Sequence, residues 1–145
     1  MRFLIQRVTR ASVKVDGDLA ASIGSGMLVL VGIAQADTRK EADYLAEKLV
    51  NLRIFPDAEG RMNRSALDVG AELLLVSQFT LYGDCRKGRR PSFDAAAPPA
   101  AARELYEYVV EAVSAKGLAT QSGVFQAHMK VELVNDGPVT FLLET

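Results

Sequence analysis

The chain has 145 residues, of which 49% are hydrophobic, so it holds enough apolar material for one full core and leaves little room for a second domain. A net charge of −1 argues against a protein that coats nucleic acid nonspecifically, and no apolar run reaches the roughly 18 residues that a membrane span needs. One cysteine, Cys85, rules out an internal disulfide and points to a reducing, cytosolic setting.

The opening MRFLIQRVTR reads as a first strand, because Arg2, Arg7 and Arg10 interrupt its apolar residues too often for a signal peptide. Ala11, Val13 and Val15 alternate with Ser12, Lys14 and Asp16, the period of a half-buried strand. Asp16-Gly17 then supplies a tight hairpin turn. Met27 to Ile33 is a continuous apolar run broken only by Gly32, which predicts a buried strand. Thr38 and Glu41 form a T-x-x-E capping box opening a helix whose core face is Ala42, Leu45, Ala46, Leu49 and Leu52.

Ile54-Phe55-Pro56 ends that helix, and residues 57–60 read as a turn. Glu72 to Phe79 predicts another buried strand, followed by a polar loop from Tyr82 to about Asp94. Pro98-Pro99 suits a helix start, and Leu105, Tyr106, Val109, Val110 and Val113 stripe a second helix that stops at Gly117. Two last strands are expected, Val124–Val134 and Val139–Leu143, joined by a turn at Asn135-Asp136-Gly137-Pro138. Without repeats or regular βαβ alternation, the pattern predicts one α+β domain over 1–145. Its sheets are expected to be largely antiparallel, barrel- or sandwich-like, with two main helices packed on them.

One His, one Cys and scattered carboxylates make no metal constellation, and no glycine-rich phosphate loop follows a strand, so neither metal nor nucleotide cofactor is expected. His128 falls on the polar face of the expected strand Val124–Val134, opposite Phe125, Ala127, Met129, Val131 and Leu133. That parity speaks against a catalytic imidazole. Cys85 neighbours Arg86 and Lys87, which favour a thiolate, but it lacks a positioned base.

Two polar clusters stand out. Ser77-Gln78-Phe79-Thr80 leaves a buried strand, where hydroxyls and an amide either line a pocket or simply cap the strand. Asn135 to Thr140 is either a site or an ordinary turn. Arg86, Lys87, Arg89 and Arg90 within five residues suit phosphate contact and a solvated loop equally.

Taken together, these segments resemble the D-aminoacyl-tRNA deacylases, also called D-tyrosyl-tRNA deacylases. The resemblance runs through Gln6-Arg7-Val8, Ala11 to Gly17, Leu52-Arg53-Ile54-Phe55, Met62-Asn63 and Ser77-Gln78-Phe79-Thr80-Leu81. It continues through Lys87-Gly88, Arg90-Pro91-Ser92-Phe93, Gly123-Val124-Phe125 and Asn135-Asp136-Gly137-Pro138-Val139-Thr140.

It implies a cytoplasmic hydrolase that cleaves D-amino acids, and mischarged glycine, from the acceptor end of tRNA without a cofactor. It further implies a homodimer in which a cis Gly137-Pro138 turn reaches into the partner's site and excludes L-substrates. Ser77, Gln78, Phe79 and Thr80 are the implied catalytic pocket. Arg7, Asn135 and Thr140 support the turn, Phe125 and Met129 hold the terminal adenosine, and Arg86 and Lys87 meet the tRNA. Gln126 departs from the family pattern, standing where glycine is usual, as do Gly83 and Arg89 at positions that favour alanine and asparagine. The rival readings are an RNA-end binding module without chemistry and a general esterase using Thr80 or Cys85.

Overall fold

The computed structural model describes residues 1–145. Its organising element is β1 (Arg2–Val15), a strand long enough to pair with three others. One edge of β1 takes β3 (Gly26–Gly32) along Arg2–Val8 and β2 (Asp18–Ile23) along Ala11–Val15, both antiparallel. The other edge takes β8 (Met129–Glu144) along its whole length, also antiparallel. The β1–β2 turn is the expected one, with Asp16 and Gly17 at φ 52° and 94°.

Two pairings are parallel, which the sequence did not single out. β6 (Glu72–Ser77) lies parallel to β3, and β7 (Thr120–Ser122) lies parallel to β6. Parallel neighbours need long crossovers. Here α1 (Arg39–Asn51) and α3 (Pro99–Ser114) occupy the two connections. A small hairpin, β4 (Phe55–Pro56) with β5 (Met62–Arg64), and the one-turn α2 (Ala66–Val69) complete the first. Ser22 N donates to Gln121 Oε1 at 3.0 Å, drawing β2 toward β7, so the sheet curls into a nearly closed barrel.

Period-2 geometry then sorts the core in two. Met27, Val29, Val31, Leu73 and Leu75 face the helices, where Leu45, Leu49, Tyr106 and Val109 meet them. Leu28, Leu74 and Val76 face the barrel interior with Val8, Ala11, Val13, Ala21 and Ile23. Both faces of β3 and β6 are covered, which is why those strands read as unbroken apolar runs. Each fully buried Leu or Val contributes about 1.5–3 kcal/mol of transfer free energy.

Both main helices start as expected. Thr38 and Glu41 form the complete capping box on α1, and Pro99 opens α3. No helix is long and apolar enough to cross a membrane.

The C-terminal third differs from the expectation. Residues 124–127 form a turn, closed by Ala127 N donating to Val124 O at 3.2 Å with Gln126 in a left-handed backbone (φ 63°), and β8 begins only at Met129. The strand parity assigned to His128 therefore does not apply. Asn135 to Pro138 is no hairpin either: β8 runs unbroken through it, paired with β1 on both sides. Gln6 faces Thr140 and Val8 faces Asn135, so residues 136–139 stand opposite Arg7 alone and are pushed out of the ladder as a wide bulge. β6 likewise stops at Ser77, two residues early, because Phe79–Tyr82 winds into a 3-10 turn.

Candidate active site

The end of β6 opens into a cleft of about 700 Å³ lined mostly by apolar side chains. Ser77 and Gln78 stand at its polar end with Phe79. The 3-10 turn that carries Phe79 and Thr80 is anchored from both sides. Gln78 N donates to Val31 O (2.8 Å) and Arg2 Nη1 donates to Leu81 O (2.7 Å). Gly32 lets the turn close on β3: a Cβ there would lie 3.0 Å from Leu81 Cβ and 3.3 Å from Gln78 O.

As the first amides of a 3-10 turn, those of Phe79 and Thr80 have no acceptor within it, and neither finds another elsewhere in the chain. The Gln78 side-chain amide donates to Thr80 Oγ1. That bond occupies the hydroxyl as an acceptor, and no carboxylate, lysine or histidine is hydrogen-bonded to it. Thr80 itself sits outside the cleft lining.

One wall is aromatic. Phe79, 57% exposed, meets Phe93 edge-on, with centroids 4.9 Å apart at 62°. Across from them Phe125 leans on Tyr106 at 5.7 Å, and the Tyr106 hydroxyl donates to Leu75 O at 2.9 Å. Burial pushes the Tyr106 phenol up, so it remains a neutral donor. Gln126, Ala127, His128 and Met129 complete that side, which brings His128 to the cleft after all. Sequence reasoning missed it by assuming strand period across Gln126. It also missed the Ala96–Pro99 wall, which small, featureless residues do not advertise.

The bulge in β8 is built around Arg7 and Asn135. Asn135 Nδ2 donates to Arg7 O and to Val139 O, both at 2.9 Å, tying the two ends of the excursion. Thr140 Oγ1 lies 3.5 Å from Asn135 Oδ1 and accepts from Gln6 Nε2 at 3.3 Å. Arg7 is buried, and its Nη1 donates to Ile54 O at 2.5 Å. Its Nε is 2.9 Å from Asp136 Oδ2 but off the N–H axis, so this contact is an ion pair rather than an aligned hydrogen bond. The Gly137–Pro138 peptide is cis, and both residues are exposed. Neither lines this chain's own cleft.

The basic loop divides in two. Arg86 forks onto Asp84 (2.9 and 2.7 Å) and, with its own backbone amide, holds that carboxyl down at about 2. Lys87, Arg89 and Arg90 pair with no carboxylate and are exposed. Cys85 is a free, exposed thiol.

The profile of the D-Tyr-tRNA(Tyr) deacylase family matches residues 4–144. The chain belongs to that family. The family is one of hydrolases, and its relatives span the whole chain. D-aminoacyl-tRNA deacylases of Geotalea uraniireducens and Koribacter versatilis are each 61% identical over 145 residues, covering 100% of this chain and 94% and 97% of the relatives. Among solved structures, a c-Myc DNA unwinding element binding protein superposes with a TM-score of 0.95 at 41% identity, covering 100% of this chain and 99% of the other. A probable eukaryotic D-amino acid tRNA deacylase superposes at 0.85 with 17% identity, covering 98% and 97%, a likeness of fold alone.

Proposed function

We propose that the cleft hydrolyses the ester joining a D-amino acid to the terminal adenosine of tRNA, in the cytoplasm and without a cofactor. The carrying observation is a pair of free amides, that of Phe79 at the polar end of an apolar cleft and that of Thr80 next to it in the chain. Preorganised N–H groups of this kind stabilise the oxyanion of acyl transfer. The acyl carbon takes the attacking water oxygen, the carbonyl electrons move onto the oxyanion, and collapse breaks the bond to the ribose oxygen. That oxygen leaves with the proton the water gives up.

With no side-chain base hydrogen-bonded to Thr80, the vicinal ribose hydroxyl orients the water, and Thr80 helps Gln78 fix the ester. Phe125 and Met129 hold the adenine end, with Lys87 and its neighbours near the acceptor phosphates.

In this reading the protein works as a homodimer. Gly137 and Pro138, exposed and held out by Arg7, Asn135 and Asp136, enter the partner's cleft and fill the space that an L side chain requires. A backbone wall rejects by occupancy rather than by reading the side chain, so varied D-residues pass and glycine passes too. The test is a time course of deacylation on D-tyrosyl-, D-alanyl-, glycyl-, L-alanyl- and L-tyrosyl-tRNA. The first three are cleaved and the last two survive. Equal protection of glycyl- and L-alanyl-tRNA would defeat the wall.

A second reading, nucleic-acid binding without chemistry, draws on the unpaired Lys87, Arg89 and Arg90 and on the relative named for DNA binding. Catalytic release of free amino acid separates the two. A general esterase would instead cleave small esters without RNA.

A further inference from the structure

A cation stands unused on the rim of the cleft. Arg103, on the exposed side of α3, rests its guanidinium over the Phe125 ring, 5.1 Å from the centroid. Its Nη2 donates to Gln126 Oε1 at 3.2 Å. Phe125 and Gln126 line the cleft, and Arg103 stands just outside them. Phe125 is backed by the buried Tyr106, so the guanidinium lies on a fixed platform rather than on a mobile loop.

Three features mark this group as more than a solvated arginine. It pairs with no carboxylate, whereas its neighbour Glu104 pairs with Arg39 across the surface. A guanidinium offers five N–H donors, and the contact with Gln126 uses one. Finally, Gln126 holds a left-handed backbone (φ 63°) that glycine adopts freely and a glutamine does not. A long amide side chain kept in that conformation, and directed onto Arg103, orients the fork.

No lysine or arginine lines the cleft itself, whose polar groups are Ser77, Gln78, Gln126 and His128. An occupant's negative charge on the α3 side of the mouth therefore meets Arg103.

We propose that Arg103, positioned by Gln126, binds the phosphate on the 5′ side of the nucleoside seated in the cleft. The pairing is that of a planar guanidinium with phosphate oxygens, for which lysine is a poorer substitute. Arg103 has this role only if the cleft holds the terminal nucleotide of a charged tRNA, as proposed above.

The experiment compares three substrates that differ in phosphate: D-tyrosyl-tRNA, 2′(3′)-O-D-tyrosyl-adenosine 5′-monophosphate and 2′(3′)-O-D-tyrosyl-adenosine. Arg103→Ala is expected to raise KM for the two phosphorylated substrates by about fivefold and to leave kcat within about twofold. KM for the unphosphorylated nucleoside stays unchanged. Arg103→Lys recovers part of the loss, and Gln126→Gly, which keeps the charge but frees it, falls between. Thermal melts confirm that each variant folds. Titration with adenosine 5′-monophosphate and with adenosine gives a readout independent of turnover: the preference for the phosphorylated ligand disappears in Arg103→Ala.

An equal effect on phosphorylated and unphosphorylated substrates, or none on either, overturns the assignment while the deacylase reading stands. Inactivity of the unaltered protein on all three overturns that reading and this assignment together.

Discussion

Arg7 Nε lies 2.9 Å from Asp136 Oδ2, so a buried arginine of β1 holds the carboxylate that opens the excursion in β8. The same guanidinium reaches Ile54 O through Nη1. One side chain thus joins β1, the segment after α1 and the bulge.

Arg7→Ala leaves Ile54 O without its donor and Asp136 without its counter-charge. Asp136 is about half exposed, so water recovers part of the loss. A destabilisation of about 2 kcal/mol is expected, below that for a fully buried pair. Asp136→Asn should cost less, since Arg7 keeps its bond to Ile54. Urea unfolding measures both, and an Arg7→Ala midpoint equal to that of the parent would show that the pair contributes nothing.

Gly137 has φ 121°, and a Cβ on it would lie 2.7 Å from Val139 Cγ2 and 3.2 Å from Arg7 Nη2. Gly117 has φ 88° with nothing within 4 Å, so it isolates the backbone cost from the contact cost. Alanine at either site is expected to destabilise by about 1 kcal/mol through the dihedral, with more at Gly137 from the clash. Deacylation should drop about tenfold or more in Gly137→Ala alone, roughly 1.4 kcal/mol of barrier. Equal activity in the two variants would remove the bulge from the site.

The chemistry at Thr80 can be separated from that of the substrate. Thr80→Ala, Cys85→Ser and His128→Ala should each keep turnover within about tenfold. A tRNA ending in 2′-deoxyadenosine should be cleaved far more slowly than its ribose counterpart. Collapse of turnover in Thr80→Ala, with normal cleavage of the deoxy substrate, would make Thr80 the nucleophile.

Asp84 titrates at about 2 rather than the ordinary 3.8, first because the Arg86 side chain donates to it and then because the Arg86 amide does. Its folded value is depressed, so the loop contact is complete above about pH 4 and is lost as pH falls through 2. Carboxyl NMR titration checks this: Arg86→Ala should return Asp84 toward 3.8. Because Arg86 is already committed to Asp84, its removal should barely change the salt dependence of deacylation. Replacing Lys87, Arg89 and Arg90 should flatten it. The opposite ranking would place the phosphate contact on Arg86.

Much of the fold was legible because it is written in local chemistry. Alternation from Ala11 to Val15 with Asp16-Gly17 predicts the β1–β2 hairpin, and Thr38 with Glu41 predicts where α1 starts. The apolar runs at Met27–Ile33, broken only by Gly32, and Leu73–Val76 announce strands covered on both faces. The position of Ser77 and Gln78 at a strand exit followed from the same run.

Three features required the folded chain. Asn135-Asp136-Gly137-Pro138 has the composition of a hairpin turn, but β1 continues past it and pairs with β8 on both sides, so the residues become a bulge. A turn and a bulge use the same residues, and only the partner strand, more than a hundred positions away, decides between them. The place of His128 depended on the backbone at Gln126, where a left-handed residue breaks the period that the assignment assumed. The cleft joins Val31, Ser77, Phe93 and Phe125, which come from four separate stretches of chain. Periodicity and capping report free energies set within a few residues, and those the sequence determines by itself. Register, parity after a bulge and the meeting of distant walls depend on long-range pairing and burial, and those only the tertiary structure decides.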